Sequence, residues 1–203
     1  GTTMVEHAGQ WLYEEGMAYW YGSNFKKENK KRSRLMIEAS ASSGFPMAVA
    51  DCHSMGWNGM EKDEKKVFEM CVKIEQETNG YQWAQIFLAG CYEEPCGTDQ
   101  DYTKVVEWYT KSSEQENSIA MYCLGLSYAN GQGCDQNQTK AVELYEKSAN
   151  LGYSTAMSNL GNCYKNGRGV TKDYTKAVEW YTKSSKQENS GAMCNLGLCY
   201  ENG

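Results

Sequence analysis

The chain has 203 residues, of which 40% are hydrophobic and only two are proline, and this composition suits a helical protein with a sizeable core. Its formal net charge of −6 disfavours general binding to a nucleic-acid backbone. No stretch approaches the roughly 20 consecutive apolar residues of a membrane-spanning helix. We therefore expect no nucleic-acid partner and no membrane insertion.

The first 80 residues carry a weak helical pattern. Residues 16–22 belong to a predicted first helix, and residues 34–44 form a predicted second helix. The basic run KKENKKRSR at residues 26–34 is interpreted as a solvated connector between them, while a nuclear-import signal or a patch for an acidic partner stays open. Ala48 lies in a predicted third helix, and residues 66–71 indicate a fourth.

The sequence from residue 84 onward repeats every 36 positions, most clearly in its last three repeats. Alanine, leucine, two glycines and tyrosine recur in phase: Ala120, Ala156 and Ala192; Leu124, Leu160 and Leu196; Gly125, Gly161 and Gly197; Tyr128, Tyr164 and Tyr200; Gly131, Gly167 and Gly203. Self-similarity at this period is typical of a stacked repeat array, in which no repeat buries its apolar face alone. Such arrays usually bind other proteins.

Each repeat is predicted to contain a helix A, a glycine-containing turn and a helix B. In the clearest repeat, helix A covers residues 156–164, the turn KNGRGV follows, and helix B covers residues 176–184. Asp173 is the expected N-cap of that helix B, and its counterparts are Asp101 and Asn137.

Glycine and asparagine residues mark the close contacts and the turns. The glycines at 125, 161 and 197 lie inside helix A, where each costs ~1 kcal/mol relative to alanine. We therefore expect helix B to approach helix A closely there, with no Cβ between them. After helix B, Gly152 should adopt the left-handed conformation, and Asn117 and Asn189 are expected to adopt it in the neighbouring repeats.

One repeat resembles the Sel-one-like repeat (SLR) family, a relative of the tetratricopeptide repeats, at thirteen positions in register: Ala156, Leu160, Gly161, Tyr164, Gly167, Gly169, Val170, Asp173, Lys176, Ala177, Trp180, Tyr181 and Lys183. The resemblance implies an all-α, right-handed α/α superhelix, or solenoid, used as an adaptor or scaffold. No linker or low-complexity segment separates the repeats, so we expect one domain over residues 1–203, with repeats at about 7–43, 44–79, 80–116, 117–152, 153–188 and a partial repeat at 189–203.

The nine cysteines are predicted to be free thiols. Their number is odd, and Cys91, Cys163 and Cys199 share one column of small, semi-buried helix positions in which Ser127 is the fourth member. A cysteine-rich branch of the resembled family joins helices A and B by disulfides and includes proteins that bind penicillin-like compounds, but this chain lacks that cysteine spacing. We expect a cytoplasmic location, with the nucleus and the secretory pathway left open, and no metal or cofactor.

By analogy with tetratricopeptide arrays, the helix A positions that flank the Leu-Gly pair should line a concave groove. The predicted partner-binding residues are Tyr13, Trp20, Trp57, Trp83, Ile86, Tyr122, Leu126, Asn159, Asn162, Lys165 and Asn195. Trp83 and Tyr122 are expected to be at least half exposed and to anchor the partner, because aromatic residues dominate interface energetics. The paired amides could hold an extended peptide backbone. The alternative is that several of these aromatics belong to the core.

The sequence predicts a non-enzymatic adaptor that holds a peptide or protein segment in its groove. It contains no recognisable catalytic or phosphate-binding motif. Two alternatives stay open: a targeting or regulatory region of a larger kinase, ubiquitin ligase or methyltransferase, and a small-molecule binder or hydrolase of the cysteine-rich branch. We further expect that the array either continues beyond Gly203 or associates with another molecule through its last repeat, with self-association as one form of this, because Leu196, Leu198 and Tyr200 are not followed by a helix B.

Overall fold

The computed structural model describes residues 4–21, 27–42, 44–78, 80–95 and 97–201, and every regular element in these ranges is a helix. There are eleven: α1 (Met4–Tyr21), α2 (Lys27–Ser42), α3 (Pro46–Met55), α4 (Glu64–Thr78), α5 (Gln82–Glu93), α6 (Tyr102–Ser113), α7 (Ser118–Asn130), α8 (Gln138–Asn150), α9 (Ser154–Asn166), α10 (Tyr174–Ser185) and α11 (Ser190–Glu201). The predicted all-α class and the alternation of helices A and B are confirmed.

The chain divides into two compact units, unit 1 at residues 1–112 and unit 2 at residues 113–203. In unit 1, consecutive helices from α1 to α5 pack against each other, and in unit 2 the same holds from α7 to α11. The odd-numbered helices are helices A of the repeats, and the even-numbered helices are helices B. That residues 1–203 form a single domain stays a prediction.

The predicted N-caps of helix B are confirmed, whereas the predicted left-handed asparagines are not. The side chain of Asp173 accepts a hydrogen bond from the backbone N–H of Lys176, and Asp101 and Asn137 make the equivalent bonds. Gly152 is left-handed as predicted, with φ of 92°, and in the neighbouring repeats the left-handed residues after helix B are Glu116 and Glu188, with φ of 59° and 58°. The asparagine that follows each of them instead caps the next helix A, because its side-chain oxygen can accept from the free N–H groups there.

The glycines inside helix A make room for a tyrosine ring of helix B. A Cβ on Gly125 would lie 2.6 Å from the ring of Tyr145, and a Cβ on Gly161 would lie 2.6 Å from the ring of Tyr181. The close contact was therefore predicted correctly, but an aromatic side chain fills it rather than a bare backbone-to-backbone approach. Backbone contact occurs elsewhere: a Cβ on the left-handed Gly169 would lie 2.3 Å from the carbonyl oxygen of Gln138.

A column of buried serines in helix B ties each repeat together. The Ser148 hydroxyl donates to the Ser118 carbonyl at 2.6 Å, and the Ser184 hydroxyl donates to the Ser154 carbonyl at 2.7 Å. The same bond joins α6 to α5, since the hydroxyl 36 residues before Ser148 donates to the Gln82 carbonyl at 3.1 Å. Each bond connects the end of helix B to the beginning of the preceding helix A, so it closes the helical hairpin.

The basic run is helical, which corrects its interpretation as a connector. Helix α2 begins at Lys27, so residues 27–34 form its first two turns, while residue 26 lies outside the described residues. Lys30, Lys31 and Arg34 are exposed on this helix. The run is therefore solvated, as expected, but it belongs to the helix B of the first repeat.

Candidate partner-binding site

Unit 2 aligns the helix A residues of three successive repeats on α7, α9 and α11. Asn159 on α9 donates a hydrogen bond from Nδ2 to the hydroxyl of Tyr122 on α7, at 3.3 Å. The Tyr122 ring packs against Tyr145 and Tyr153, with ring centroids 5.8 and 5.3 Å away. Burial raises the pKa of Tyr122 to about 12. Less than half of this side chain is exposed, which contradicts its predicted accessibility, so Tyr122 is partly a packing residue.

A second polar link is centred on Asn162 of α9. Its Oδ1 accepts a hydrogen bond of 2.7 Å from the Tyr181 hydroxyl and one of 3.4 Å from Nδ2 of Asn195 on α11. Helices α9, α10 and α11 are thus joined through the Oδ1 atom of Asn162. Among the described residues nothing accepts a hydrogen bond from Nδ2 of Asn162, and this half-buried group keeps a donor for a ligand.

Leu126 and Lys165 complete the predicted residues of unit 2. Leu126 is half-buried and packs against the apolar cluster formed by α8 and α9. Lys165 lies near the end of α9 and lines a groove along α10 and α11. The structure therefore brings Tyr122 to Asn159 and Asn162 to Asn195, and it places Lys165 at the edge of a separate groove.

The predicted groove residues of unit 1 are mostly core residues. Tyr13 is completely buried, and Trp83 and Ile86 are 9% and 8% exposed. The rings of Tyr13 and Trp83 meet edge to face with centroids 6.5 Å apart, and the Tyr13 ring also lies 5.5 Å from that of Phe45. These contacts contradict the prediction that Tyr13, Trp83 and Ile86 are available to a partner. The physical reason is that α1, the start of α3 and α5 converge, and their large side chains fill the space between them.

Trp57 and Trp20 are the other tryptophans predicted to line the groove. Trp57 lies in the turn after α3 and is half-buried, and the Arg34 guanidinium lies over its ring at 5.2 Å from the centroid. This cation–π contact covers one face of the ring. Trp20 belongs to α1, but its side chain lies outside the described residues.

Among the described residues of unit 1, Asp51 is a buried carboxyl with a strongly altered pKa. The Tyr13 hydroxyl donates to Oδ2 of Asp51 at 2.8 Å, and burial nevertheless raises the pKa of Asp51 to about 7. Acids poised near neutral pH are candidates for proton transfer. Asp51 is only 8% exposed and its hydrogen-bond partner is completely buried, so the pair acts as a link between α1 and α3.

Metal and membrane sites are not found in the part of the chain that the structure describes. No cluster of three or more histidine, cysteine, aspartate or glutamate side chains there could hold a metal ion. No described helix is both long enough and apolar enough to cross a bilayer. Eight described cysteines are unbridged, and Cys96 lies outside the described residues. In the column predicted to be semi-buried, Cys199 is half-buried, whereas Cys91, Cys163 and Ser127 are buried.

Sequence reasoning missed a lysine of helix B that covers a tyrosine of helix A in every complete repeat from residue 80 onward. Lys104 lies over Tyr92, Lys140 over Tyr128, and Lys176 over Tyr164, with distances from Nζ to the ring centroid of 4.6, 4.1 and 5.2 Å. Both members recur every 36 residues, and this shared period was the signal that could have identified the contact. The pairs join the first turn of helix B to the end of helix A.

The Sel1 repeat profile matches residues 12–45, 47–68, 84–117, 118–153, 154–189 and 190–203. These segments cover most of the chain, and the chain therefore belongs to the Sel1 repeat family. Sel1 repeat proteins are typically non-enzymatic scaffolds for protein–protein interaction. A comparison with functionally characterised proteins gave no significant sequence match.

Solved structures share the fold. A Sel1 repeat protein from Oxalobacter formigenes superposes with a TM-score of 0.74 at 22% identity, covering 99% of this chain and 75% of that one. The protective antigen c5321 of uropathogenic Escherichia coli, which displays an SLR fold, gives a TM-score of 0.70 at 27% identity. That match covers 96% of this chain but only 41% of the E. coli protein. Cysteine-rich protein B of Helicobacter pylori is similar over 66% of this chain, with a TM-score of 0.53 at 23% identity, and it covers 96% of that protein.

Proposed function

We propose that this chain is a non-enzymatic adaptor and that the helix A face of unit 2 binds an extended segment of a partner protein. The observation that carries the proposal is the row formed by the amides of Asn159 and Asn162 on α9 and of Asn195 on α11, with the Nδ2 group of Asn162 still able to donate. An extended peptide offers one backbone carbonyl and one N–H per residue, and side-chain amides can satisfy both.

The amides are better candidates than the aromatic residues for recognising the partner. Tyr13, Trp83 and Ile86 are occupied by packing within unit 1 and would have to leave the core to contact a ligand. The half-buried Leu126 and Tyr122 can contribute apolar surface beside the amides. This division predicts binding through the peptide backbone with modest side-chain preference. A cytoplasmic location for this interaction stays a prediction.

The test compares two pairs of substitutions that share the same spacing along the chain. Asn159→Ala with Asn195→Ala removes two amides of the row, and the matched control Glu107→Ala with Glu143→Ala alters exposed residues of helix B. Each chain is immobilised, incubated with lysate and analysed by quantitative mass spectrometry. We expect proteins retained by the wild type and by the control to fall about tenfold or more with the amide pair, as loss of a binding anchor commonly does. Equal retention by all three chains, or loss with the helix B control alone, would contradict the proposal.

A further inference from the structure

Positive charge is concentrated in one short segment of the chain. Residues 26–34 contain six lysine and arginine residues and one glutamate, so the segment carries a formal charge of +5. The rest of the chain contains 14 basic and 25 acidic residues and carries a formal charge of −11. A basic segment within an otherwise acidic molecule favours a partner of negative charge at that place.

The structure presents the described cations of this segment on the solvent side of α2. Lys30, Lys31 and Arg34 are exposed, and they are neighbours on the helix surface because Lys30 and Lys31 lie four and three residues before Arg34. These three residues form the basic face of α2. The opposite side of the helix is buried against α1, where the hydroxyls of Ser33 and Ser40 donate to backbone carbonyls. The packing of the first repeat thus leaves the basic face accessible.

The charges on this face are not arranged to stabilise the helix. In α6, the exposed Glu107 forms an ion pair with Lys111 at 2.8 Å, four residues further on, and this spacing of opposite charges supports a helix. Lys30 and Arg34 have the same spacing but the same sign, which weakens a helix. Departures of this kind from what stability favours are typical of functional surfaces.

Arg34 is held from two sides and can still bind an anion. Its guanidinium lies 5.2 Å from the centroid of the Trp57 ring, and its Nε donates to Oε1 of Glu38 at 3.0 Å. Among the described residues, nothing accepts a hydrogen bond from its Nη groups, and half of the side chain is exposed. A guanidinium offers five N–H groups in a planar fork that suits carboxylates, so the Nη groups can receive a second carboxylate.

The size of the basic face limits what can occupy it. From residue 30 to residue 35 the helix rises about 8 Å, a distance that about three residues of an extended chain span. Leu35 adjoins the basic face and is 57% exposed, so it offers apolar surface beside the charges. A long polyanion or an anionic membrane would also face the acidic remainder of the chain and would be repelled by it. A short acidic segment contacts α2 alone.

We propose that the basic face of α2 binds a short segment of a partner protein that is rich in aspartate and glutamate. The Nη groups of Arg34 donate to one carboxylate, Lys30 and Lys31 neutralise the neighbouring carboxylates, and an aliphatic side chain of the segment packs on Leu35. This site lies in unit 1 and does not depend on the proposed function of unit 2.

The test uses a fluorescently labelled peptide in which four alternating glutamates and aspartates precede a leucine. A control peptide has glutamine and asparagine in their places. Anisotropy titration with the full chain should show saturable binding of the acidic peptide and binding of the neutral peptide that is about tenfold weaker or more. Raising the salt concentration from about 0.05 M to about 0.3 M should weaken binding of the acidic peptide several-fold, because the paired charges are exposed to solvent.

Two double variants of the chain locate the binding site. Lys31→Gln with Arg34→Gln removes two charges of the basic face, and the matched control Lys66→Gln with Lys73→Gln removes two exposed charges of α4. Each exposed ion pair contributes up to about fivefold in affinity, so we expect the basic-face variant to bind the acidic peptide about tenfold more weakly. The control should bind it within about twofold of the wild type. Circular dichroism checks that both variants are folded.

A separate measurement needs no variant of the basic face. The acidic peptide should slow hydrogen exchange in α2 of the wild type, because neutralising like charges on the helix stabilises it, and the neutral peptide should not. The chain with Asn159→Ala and Asn195→Ala should bind the acidic peptide as the wild type does, since those residues belong to unit 2. Loss of binding in that chain would contradict a site on α2.

Four other results would each overturn the proposal. They are the absence of saturable binding, equal affinity for the acidic and neutral peptides, and equal affinity of the two lysine-containing double variants for the acidic peptide. The fourth is tighter binding of a single-stranded oligonucleotide or of vesicles containing anionic lipid than of the acidic peptide, because the partner would then be a nucleic acid or a membrane.

Discussion

Replacement of Gly161 tests the central packing contact of the repeat. An added Cβ would lie 2.6, 2.8 and 3.1 Å from three atoms of the Tyr181 ring. That ring is completely buried, and its hydroxyl is held by the 2.7 Å hydrogen bond to Asn162. The ring therefore cannot move aside without breaking that bond and disturbing the interface between α9 and α10.

The loss of stability in the Gly161 variants is the sum of two destabilising contributions and one stabilising contribution. Overpacking a tight contact costs about 1–3 kcal/mol, and weakening the tyrosine hydrogen bond costs about 1 kcal/mol more. Alanine in place of glycine inside a helix returns about 1 kcal/mol. Gly161→Ala should thus destabilise unit 2 by about 1–3 kcal/mol, and Gly161→Leu by more.

Gly197→Ala is the matched control, because it makes the same change in the same column with no described atom within 4 Å of the new Cβ. It should leave stability unchanged or raise it by up to about 1 kcal/mol. Hydrogen exchange measured by mass spectrometry on peptides from α9 and α10 provides the assay, since it reports the opening free energy of each segment. Equal protection of the α9 and α10 peptides from hydrogen exchange in Gly161→Ala and Gly197→Ala would refute the reasoning. It would also be refuted if Gly161→Ala were as stable as the wild type while the Tyr181 ring kept its position.

Three further predictions follow from buried polar groups. The pKa of Asp51 in the folded chain, about 7, lies above its ordinary value of 3.8, so protonation stabilises the folded state, and this stabilisation of about 4 kcal/mol is lost as pH rises from about 4 through about 7. Urea unfolding at several pH values should therefore show that the free energy of unfolding depends less on pH in Asp51→Asn than in the wild type. The same pH dependence in both chains would contradict this cause. Ser184→Ala removes a buried hydroxyl bonded to a carbonyl of α9 and should cost about 1 kcal/mol in thermal unfolding, while Ser185→Ala, whose hydroxyl bonds within its own turn, should cost less. Under native conditions an alkylating reagent should modify the exposed Cys194 first and Cys52 among the last, because burial hides Cys52 and raises its pKa to about 11. Peptide mass spectrometry measures the alkylation rate of each cysteine. Equal rates for Cys194 and Cys52 would contradict the prediction, since they would show that the core opens faster than the reagent reacts.

The sequence was sufficient to predict the elements of the repeats, because each depends on local chemistry. An N-cap such as Asp173 needs only its own side chain and the next backbone N–H groups, and both are specified within a few residues. The period of 36 then located every helix of residues 84–203, including helices with little apolar periodicity of their own. In the N-terminal repeats, where the period fades, the start of α2 was placed too late, and the basic run was interpreted as a loop.

The candidate site was harder to predict, because exposure depends on the distance between helices that are not neighbours in sequence. Trp83 and Tyr122 lie in the same region of helix A, yet Trp83 is buried against Tyr13 while Tyr122 is partly exposed. The periodicity assigns a residue to a face of its helix, but it does not state how closely the next helix covers that face. The buried serine column escaped notice for a related reason: serine is usually a surface residue, and only the geometry shows that its hydroxyl reaches a carbonyl in the preceding helix.

The aromatic contacts of unit 1 affect how that unit unfolds. Repeat proteins are approximately one-dimensional, since each repeat interacts with its immediate neighbours and can unfold in sequence from either end. Tyr13 in the first repeat touches Trp83 in the third, and the Tyr81 hydroxyl donates to Glu14 at 3.4 Å, also across two repeats. The helices between α1 and α5 cannot detach while these contacts persist, so unit 1 should melt in one cooperative step. A repeat could not be inserted into or deleted from its middle without separating those rings, and its length is therefore fixed by its own core.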